Sequence, residues 1–242
     1  EGIIPDSYMN DMSIYKNLFI NNFGDDDLII MGLNNVERGE DKNLFYNTMA
    51  IFNNKLDLIQ KYNKVNLVPF GEFIPFENIL GSIGLKTITN KYRSFSSANT
   101  RKPINIKNNK IDLNILPLIC YEIIYSGKLS KDVNFDYIFN ISEDGWFGSS
   151  IGPKQHFSHS VFRSIESGKY VVRAANNGIS AIINPIGFVE QEVEFGSVGY
   201  VELTASKLIK PTPFMLFGNK IFLMLILLYI FLIFSFNKLR NE

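Results

Sequence analysis

The sequence predicts an α/β fold in one unit, and three observations support that prediction. Short apolar segments with strand patterns recur between residues 26 and 204, and residues 156–170 have apolar side chains at helical spacing. No stretch rich in Gly, Pro or Ser divides this part of the chain. A chain of 242 residues that is 46% hydrophobic can bury one substantial core. Because strands outnumber helices, we expect two sheets that helices cover on the outside.

The first half of the chain contains most of the predicted strands. Residues 26–33 (DDLIIMGL) form a short apolar run, and residues 44–52 and 55–62 are two further strands joined by the turn-forming Asn53-Asn54. Residues 111–120 alternate between apolar and polar side chains and then become continuously apolar, as a strand entering the interior does. Residues 136–142 repeat that pattern, and residues 122–131 leave room for one short helix between the two strands.

The second half begins with the predicted helix at 156–170. Its apolar positions are Phe157, Val161, Phe162, Ile165 and Tyr170. Residues 178–184 and 188–194 are predicted as two strands around Asn184-Pro185-Ile186-Gly187, which has the chemistry of a hairpin turn. Residues 198–204 are expected as a final strand.

The charge balance argues against a nucleic-acid partner. The chain has 24 acidic and 24 basic residues, so its formal net charge is zero. The basic residues are scattered singly and form no stripe that alternates with aromatic residues. We therefore predict no binding of nucleic acid.

The end of the chain is predicted to cross a membrane. Residues 221–236 (IFLMLILLYIFLIFSF) carry no charge, and residues 214–217 extend the apolar stretch backwards. Sixteen residues give about 24 Å at ~1.5 Å per residue, against a hydrocarbon core of ~30 Å. A buried core helix is the alternative, but a soluble domain rarely ends in an aliphatic tract without a polar face. We predict a transmembrane helix at residues 211–237.

The orientation of that helix follows from the charges beyond it. Lys238 and Arg240 lie in the predicted tail, residues 238–242, and positive charges favour the cytoplasmic side. Residues 1–210, the predicted domain before the helix, would then lie on the outer face of the membrane. The chain opens on Glu1 without a methionine, and we expect it to be the C-terminal fragment of a longer protein.

Cys120 is the one cysteine of the chain, and it ends the apolar run 115–119 just before Tyr121-Glu122. It cannot form an internal disulfide, so it serves either packing or reactivity. If it ends a strand and a helix begins behind it, the N–H groups of the helix start favour a thiolate and can hold an oxyanion. Lys64 would add a positive charge and Glu1 would accept the thiol proton. Taken singly, each residue also has an ordinary explanation. Cys120 could be a buried hydrophobic residue, Lys64 a solvated surface charge and Glu1 a terminal residue without a role.

Longer motifs connect these three residues. Residues 64–75 resemble a Lys-x-His-Leu-Val-Pro-Phe-Gly-Glu-x-x-Pro segment, residues 119–122 match Ile-Cys-Tyr-Glu, and residues 140–152 resemble an Asn-Asp-x-Trp-Phe-Gly stretch. The match continues through Gln155-His156, Arg163 and Asn176-Asn177-Gly178. In this order the motifs resemble the apolipoprotein N-acyltransferase family of the nitrilase superfamily, over essentially the whole chain.

The resemblance implies a nitrilase-like four-layer αββα sandwich followed by the C-terminal transmembrane helix. It also implies Glu1 as general base, Lys64 as stabiliser of the tetrahedral intermediate and Cys120 as nucleophile. Further positions associated with activity in this family match Glu72, Tyr121 and Glu122. Glu72 is expected to position Lys64 or Glu1. Trp146 and Phe147 match a lipid-facing or lid region, with aromatic core packing as the alternative.

The implied reaction transfers an acyl chain from a phospholipid, through a thioester on Cys120, to the N-terminal amine of a diacylglyceryl-cysteine lipoprotein. The implied location is the bacterial inner membrane, with the catalytic domain on the periplasmic face, and no metal or organic cofactor is required. Two alternatives stay open. One is a membrane-tethered nitrilase-type amidase that uses water as the acceptor, and the other is an extracytoplasmic binding domain with a structural cysteine.

Two positions depart from the family pattern. Asn66 replaces the histidine before Leu-Val-Pro, and Glu143-Asp144-Gly145 replaces the Asn-Asp pair before Trp-Phe-Gly. Neither change touches the predicted triad. His156 and His159 have a spacing compatible with zinc, but no third ligand is evident nearby, so we predict no metal site.

Overall fold

The structure is a computed structural model that describes residues 9–39, 42–76, 94–127, 129–130, 132–204 and 206–241. It begins with a 3₁₀ helix at Met9–Tyr15 and helix α1 at Lys16–Asn22, neither of which the apolar pattern predicted. Both pack on a sheet through Met12, Tyr15 and Phe19. This helical segment forms the outermost layer on one side of the domain.

The first sheet has three antiparallel strands in the order β1 (Ile29–Arg38), β2 (Asn43–Phe52) and β3 (Leu58–Asn63). Side chains of β2 alternate between its two faces because a strand has a two-residue period. Ala50 and Phe52 contact the helical layer, whereas Met49 and Ile51 contact the second sheet. Strands β2 and β3 lie close to the predicted segments, whereas β1 was predicted at 26–33 and continues to Arg38.

The second sheet has six strands in sequence order. They are β4 (Ile104–Lys107), β5 (Asp112–Ile119), β6 (Tyr137–Glu143), β7 (Tyr170–Asn176), β8 (Ser180–Ile183) and β9 (Val189–Val193). The pairs β5–β6 and β6–β7 are parallel, and the other neighbours are antiparallel. The central strands are therefore parallel, and their carboxyl ends lie along one edge of the sheet.

Helix α2 (Gly152–Ser167) covers the outer face of the second sheet. Strand β5 shows the division of the core, because Leu116 and Leu118 face this helix while Ile115 and Ile119 face the first sheet. The order of layers is thus helix, three-stranded sheet, six-stranded sheet, helix. This is the αββα arrangement that the resemblance implied.

Two predicted elements are wrong in detail. The helix predicted at 156–170 ends at Ser167, because Gly168 adopts a left-handed conformation (φ 66°) and caps it, and Tyr170 begins strand β7. The strand predicted at 198–204 does not form. Val201 and Leu203 pack against the core beside the second sheet, whereas Val198 and Tyr200 are exposed (104% and 86%), and the segment joins neither sheet.

The C-terminal apolar region forms helix α3 (Pro213–Phe217) and helix α4 (Lys220–Asn241), with a break at Gly218. The Thr212 hydroxyl caps α3 by accepting a hydrogen bond from the Met215 N–H at 3.1 Å. Within the ranges that the structure describes, no helix combines the length and apolarity that crossing a membrane demands. The transmembrane helix at 211–237 therefore stays a prediction.

Candidate active site

The candidate site lies at the edge where the parallel strands end. Cys120 directly follows β5, Asp144 follows β6 and Asn177 follows β7. The strands are in parallel register, since Ile119 pairs with Ile141 and Glu143 pairs with Asn176. Loops at the carboxyl ends of neighbouring parallel strands meet, so this edge brings polar residues together from distant parts of the sequence.

Cys120 stands at the predicted junction between a strand and a helix. It is the first residue of a 3₁₀ helix at Cys120–Ile124 and is buried, with 7% of its surface exposed. It packs in a cluster with Met49, Tyr62 and Ile141. Its φ is +48°, a left-handed conformation that residues other than glycine rarely adopt. Such a conformation persists only where the surrounding contacts hold it, and it is most frequent at functional sites.

Glu122 joins the segment of Cys120 to the segment of Lys64. Its fully buried carboxylate accepts hydrogen bonds at Oε1 from the N–H groups of Val65 (2.9 Å) and Asn66 (3.0 Å). At Oε2 it accepts from the N–H of Ile119 at 2.8 Å. One carboxylate therefore holds the residue after Lys64 and the residue before Cys120 in place.

Arg101 balances the buried charge of Glu122, and the sequence reasoning missed it. Its Nη2 donates to Glu122 Oε1 at 2.6 Å, and its Nε donates to the Tyr62 hydroxyl at 3.0 Å. Tyr62 in turn donates to Glu122 at 2.8 Å. Burial first, and then the charge of Glu122, raise the pKa of Tyr62, so this hydroxyl stays a donor. Burial alone would lower the pKa of Arg101, but the charge of Glu122 raises it.

Lys64 is completely buried and forms an ion pair with Glu72. Its Nζ donates to Glu72 Oε1 at 2.9 Å. Glu72 also accepts from the Asn47 side-chain amide at 2.8 Å and, at its other oxygen, from the Val68 N–H at 2.8 Å. A buried ammonium needs such a partner, because an unpaired charge in the interior is costly. Of the two roles expected for Glu72, the structure contains the contact with Lys64, while Glu1 lies outside the described residues.

The aromatic residues near the site differ in burial. Trp146 is 82% exposed, so the alternative of core packing does not hold for it. Phe147 is partly exposed and its ring lies 5.5 Å from the ring of His156. Both belong to a 3₁₀ helix at Asp144–Phe147. Tyr121 is half-buried and makes an edge-to-face contact with Tyr125 at 5.6 Å.

The two departures from the family pattern have local roles. Asn66 Oδ1 accepts a hydrogen bond from Arg101 Nη2 at 2.7 Å, so it joins the cluster around Glu122. Glu143 Oε1 accepts from the Gly145 N–H at 2.7 Å and from the Asn177 side chain at 3.2 Å. Glu143 thus holds the turn that presents Trp146.

His156 is not arranged as half of a zinc site with His159. One ring nitrogen lies 2.8 Å from Asp144 Oδ1 and the other 3.2 Å from the Cys120 carbonyl oxygen. Among the residues that the structure describes, no group of three or more His, Cys, Asp or Glu side chains could hold a metal ion. The ring of His156 is instead part of the wall behind Cys120.

This arrangement suits nucleophilic catalysis. A thiol at the end of a strand, with the start of a helix behind it, lies near N–H groups that stabilise negative charge on sulfur or on a tetrahedral intermediate. The ion pair of Lys64 and Glu72 belongs to the segment that Glu122 ties to the thiol. Active sites commonly contain buried charged groups with partners of opposite charge, as this edge of the sheet does.

Comparisons with known proteins agree with the motifs. The profile of the carbon-nitrogen hydrolase family matches residues 27–208. A protein named apolipoprotein N-acyltransferase from Agrobacterium fabrum is 38% identical over 163 residues, which are 67% of this chain and 30% of that protein. Its namesake from Rickettsia prowazekii is 35% identical over 217 residues, 89% of this chain and 42% of that protein. The resemblance predicted from the motifs is confirmed, and the chain spans less than half the length of these two relatives.

A solved structure supports the fold. An amidase of the nitrilase superfamily from Nesterenkonia AN1 superposes with a TM-score of 0.51 and 12% identity, covering 80% of this chain and 70% of the amidase. At that identity the likeness concerns the fold alone. The predicted nitrilase-like α/β fold is confirmed.

Proposed function

The chain belongs to the carbon-nitrogen hydrolase family, and on that premise we propose that it carries the catalytic site of an apolipoprotein N-acyltransferase. The proposed reaction moves an acyl chain from a membrane phospholipid to the N-terminal amine of a diacylglyceryl-cysteine lipoprotein. One observation carries the proposal: buried Cys120 lies at a strand-to-helix junction that Glu122 ties to the segment of Lys64. The names of the relatives supply the acceptor class, an apolipoprotein, and the resemblance of the motifs supplies the phospholipid donor.

In the first half-reaction, the Cys120 thiolate attacks the ester carbonyl carbon of the phospholipid. The carbon–oxygen double bond opens to an oxyanion, which the Lys64 ammonium and N–H groups of the turn after Cys120 would stabilise. The ester bond then breaks, the lysophospholipid leaves with a proton, and the acyl chain stays on sulfur as a thioester. In this proposal Glu1 accepts the thiol proton and passes it to the leaving group.

In the second half-reaction, the lipoprotein amine attacks the thioester carbon. An amide bond forms, the carbon–sulfur bond breaks, and the thiolate of Cys120 is regenerated while Glu1 takes the proton of the amine. Dividing the transfer in two lets one site handle two bulky lipids in turn. Within this scheme Trp146, which is exposed beside the site, and its neighbour Phe147 would contact acyl chains.

The membrane location is part of the proposal. Along α4, the large apolar side chains between Phe222 and Phe236 are all exposed, and an exposed apolar surface of this extent needs a partner. A bilayer is the partner proposed, because both substrates reside there. Residues 1–210 would lie on the periplasmic face, residues 211–237 in the membrane and residues 238–242 in the cytoplasm.

The proposed topology predicts opposite accessibility for two positions. In a Cys120→Ser background, a membrane-impermeant thiol reagent should label Lys210→Cys from outside intact spheroplasts. It should label Asn241→Cys only after lysis. The lysed sample is the control for reactivity at both positions. Equal labelling of both from one side would contradict a membrane span and favour an amidase without a membrane anchor, since a hydrolase that uses water has no need of a bilayer.

The proposed acyl-enzyme can be observed directly. Incubating the whole protein with phospholipid should add one acyl mass to the peptide that contains Cys120, and hydroxylamine should remove it because thioesters are labile to hydroxylamine. A diacylglyceryl-cysteine peptide should then accept the acyl chain faster than water does. If water removes the acyl group and the peptide does not change the rate of that loss, the result would contradict a transferase function and favour an amidase function. If no acyl group is found on Cys120, the result would favour the alternative of an extracytoplasmic binding domain with a structural cysteine.

A further inference from the structure

Three buried side chains lie behind Cys120 and have no part in the proposed triad. Asp144, His156 and Arg173 are 0%, 4% and 1% exposed. His156 Nε2 lies 3.2 Å from the carbonyl oxygen of Cys120. A carbonyl oxygen can only accept, so the ring donates the hydrogen bond. A side chain from α2 thereby contacts the backbone of the proposed nucleophile.

The ring of His156 is held at its other nitrogen. Nδ1 lies 2.8 Å from Asp144 Oδ1, which also accepts from the Ser142 hydroxyl at 2.7 Å, and Arg173 Nη2 lies 3.2 Å from the same ring nitrogen. Arg173 Nη2 donates to Asp144 Oδ2 at 2.7 Å. Burial pushes the pKa of Asp144 up, but the hydrogen bond from His156 and the charge of Arg173 outweigh burial and lower that pKa. Asp144 is therefore an ionised acceptor that orients the ring.

Arg173 is in turn anchored in the sheet. Its Nε donates to the Ile179 carbonyl at 3.1 Å, and its Nη1 donates to Asn140 Oδ1. Asn140 pairs with Leu118 in register and donates to its carbonyl at 3.1 Å. The network therefore runs across β7, β6 and β5 and returns to Cys120 from the side of α2. A network that is satisfied throughout the interior fixes one arrangement of its members.

This network contacts the backbone at a residue with an uncommon conformation. Cys120 has φ +48°, and a non-glycine residue keeps such a conformation only where its neighbours hold it. We propose that His156, oriented by Asp144 and Arg173, is a positioning residue that holds the Cys120 carbonyl and so keeps the thiol in its reactive orientation. The inference rests on the proposed function in one respect, that Cys120 is the nucleophile. It adds a residue that acts through the backbone and touches no substrate.

The test measures the thiol without any lipid substrate. The second-order rate of Cys120 alkylation by iodoacetamide, followed by mass spectrometry across a pH series, separates the ionisation of the thiol from its accessibility. His156→Ala should slow alkylation about fivefold to tenfold, the effect of losing one hydrogen bond. In acyl transfer, the same variant should lower kcat by a similar factor and leave KM unchanged.

Two conservative variants distinguish positioning from general packing. The amide nitrogen of His156→Gln can occupy the place of Nε2 and donate to the Cys120 carbonyl, so this variant should stay within about threefold of the wild-type rate. His156→Asn is shorter, places its amide near Nδ1 and should behave like His156→Ala. His159→Ala is the matched control, because it removes the other histidine of the chain from the same helix.

The outcomes separate this inference from the proposed function. Equal rates for the Gln and Asn variants, or a wild-type rate in His156→Ala, would overturn the positioning role while Cys120 remains the nucleophile. If His156→Ala does not fold, the comparison of Gln with Asn decides. A wild-type thiol that reacts no faster than N-acetylcysteine, together with acyl transfer that survives Cys120→Ala, would overturn both.

Discussion

Replacing Cys120 with alanine or serine is expected to abolish acyl transfer and leave the fold intact. Alanine removes the proposed nucleophile, and the serine hydroxyl is nearly the same size but does not ionise near neutral pH. Removing a residue that forms the covalent intermediate typically lowers kcat by about 10⁴-fold or more. Both replacements are small enough for the buried site, so the loss of rate should be chemical in origin.

The measurement is acyl transfer to a diacylglyceryl-cysteine peptide under single-turnover conditions, with thermal melting of each variant. Ser158→Ala is a suitable control, since Ser158 lies exposed on α2 and its hydroxyl bonds only to the Lys154 carbonyl of its own helix turn. Full activity in Cys120→Ala would remove the cysteine from the mechanism. It would also leave the family membership without a chemical role for the Ile-Cys-Tyr-Glu motif.

Local patterns were sufficient to predict most strands but not where the helix ends. Strand β5 was predicted as 111–120 and forms at Asp112–Ile119, because its apolar run must be buried on both faces. The helical spacing of apolar residues led to a prediction that α2 extends to Tyr170, although the helix ends before Gly168. The apolar residues at 198–204 looked like a strand, yet whether a strand forms depends on a partner that local sequence does not reveal.

Site residues that lie within one continuous motif were predicted from the sequence. Site residues whose partners are distant in the sequence were missed. Lys64 and Glu72 lie in one motif, and Cys120 and Glu122 lie in another. Arg101 contacts Glu122 from 21 residues away, and Arg173 contacts Asp144 from 29 residues away. Such pairs arise only when strands assemble, so a basic residue scattered along the sequence looks like a surface charge.

One local signal could have found the network behind Cys120. Arg173 and Asn140 are polar residues in the middle of strands that are largely apolar up to their ends (YVVRAAN and YIFNISE). A charged residue in a buried strand must find partners, because burying an unpaired charge is costly. The two residues pair in register on neighbouring strands, and Asp144 completes the group just beyond β6. Sequence reasoning of this kind identifies a buried network, although it does not identify its connection to Cys120.

Lys64→Arg is expected to fail almost as badly as Lys64→Ala, although it keeps the charge. Lys64 is 0% exposed and its Nζ is 2.9 Å from Glu72, so the site accommodates a compact ammonium. A guanidinium is larger and spreads its donors over a plane, and it cannot direct one hydrogen bond to the same oxyanion. Losing that donor should cost about 3 kcal/mol of transition-state stabilisation, about two to three decades in kcat.

Stability must be separated from catalysis in this comparison. Lys64→Ala leaves the buried charge of Glu72 without its partner, which can destabilise a protein by about 3–5 kcal/mol. The double variant Lys64→Ala with Glu72→Gln removes that penalty and should restore thermal stability without restoring activity. Lys61→Arg is the matched control: Lys61 lies on β3, the strand that ends just before Lys64, and pairs with Glu37 at 2.9 Å in a partly exposed position.

The rate of acylation of Cys120, measured in a single turnover, decides between two roles for Lys64. If the lysine donates to the oxyanion, the Arg variant loses two to three decades and Lys61→Arg keeps the wild-type rate. If the Arg variant stays within tenfold of wild type, Lys64 supplies only a general positive potential, because any cation in that position would then serve. The oxyanion would in that case depend on the N–H groups at the start of the 3₁₀ helix, whose orientation is fixed by the backbone of Cys120.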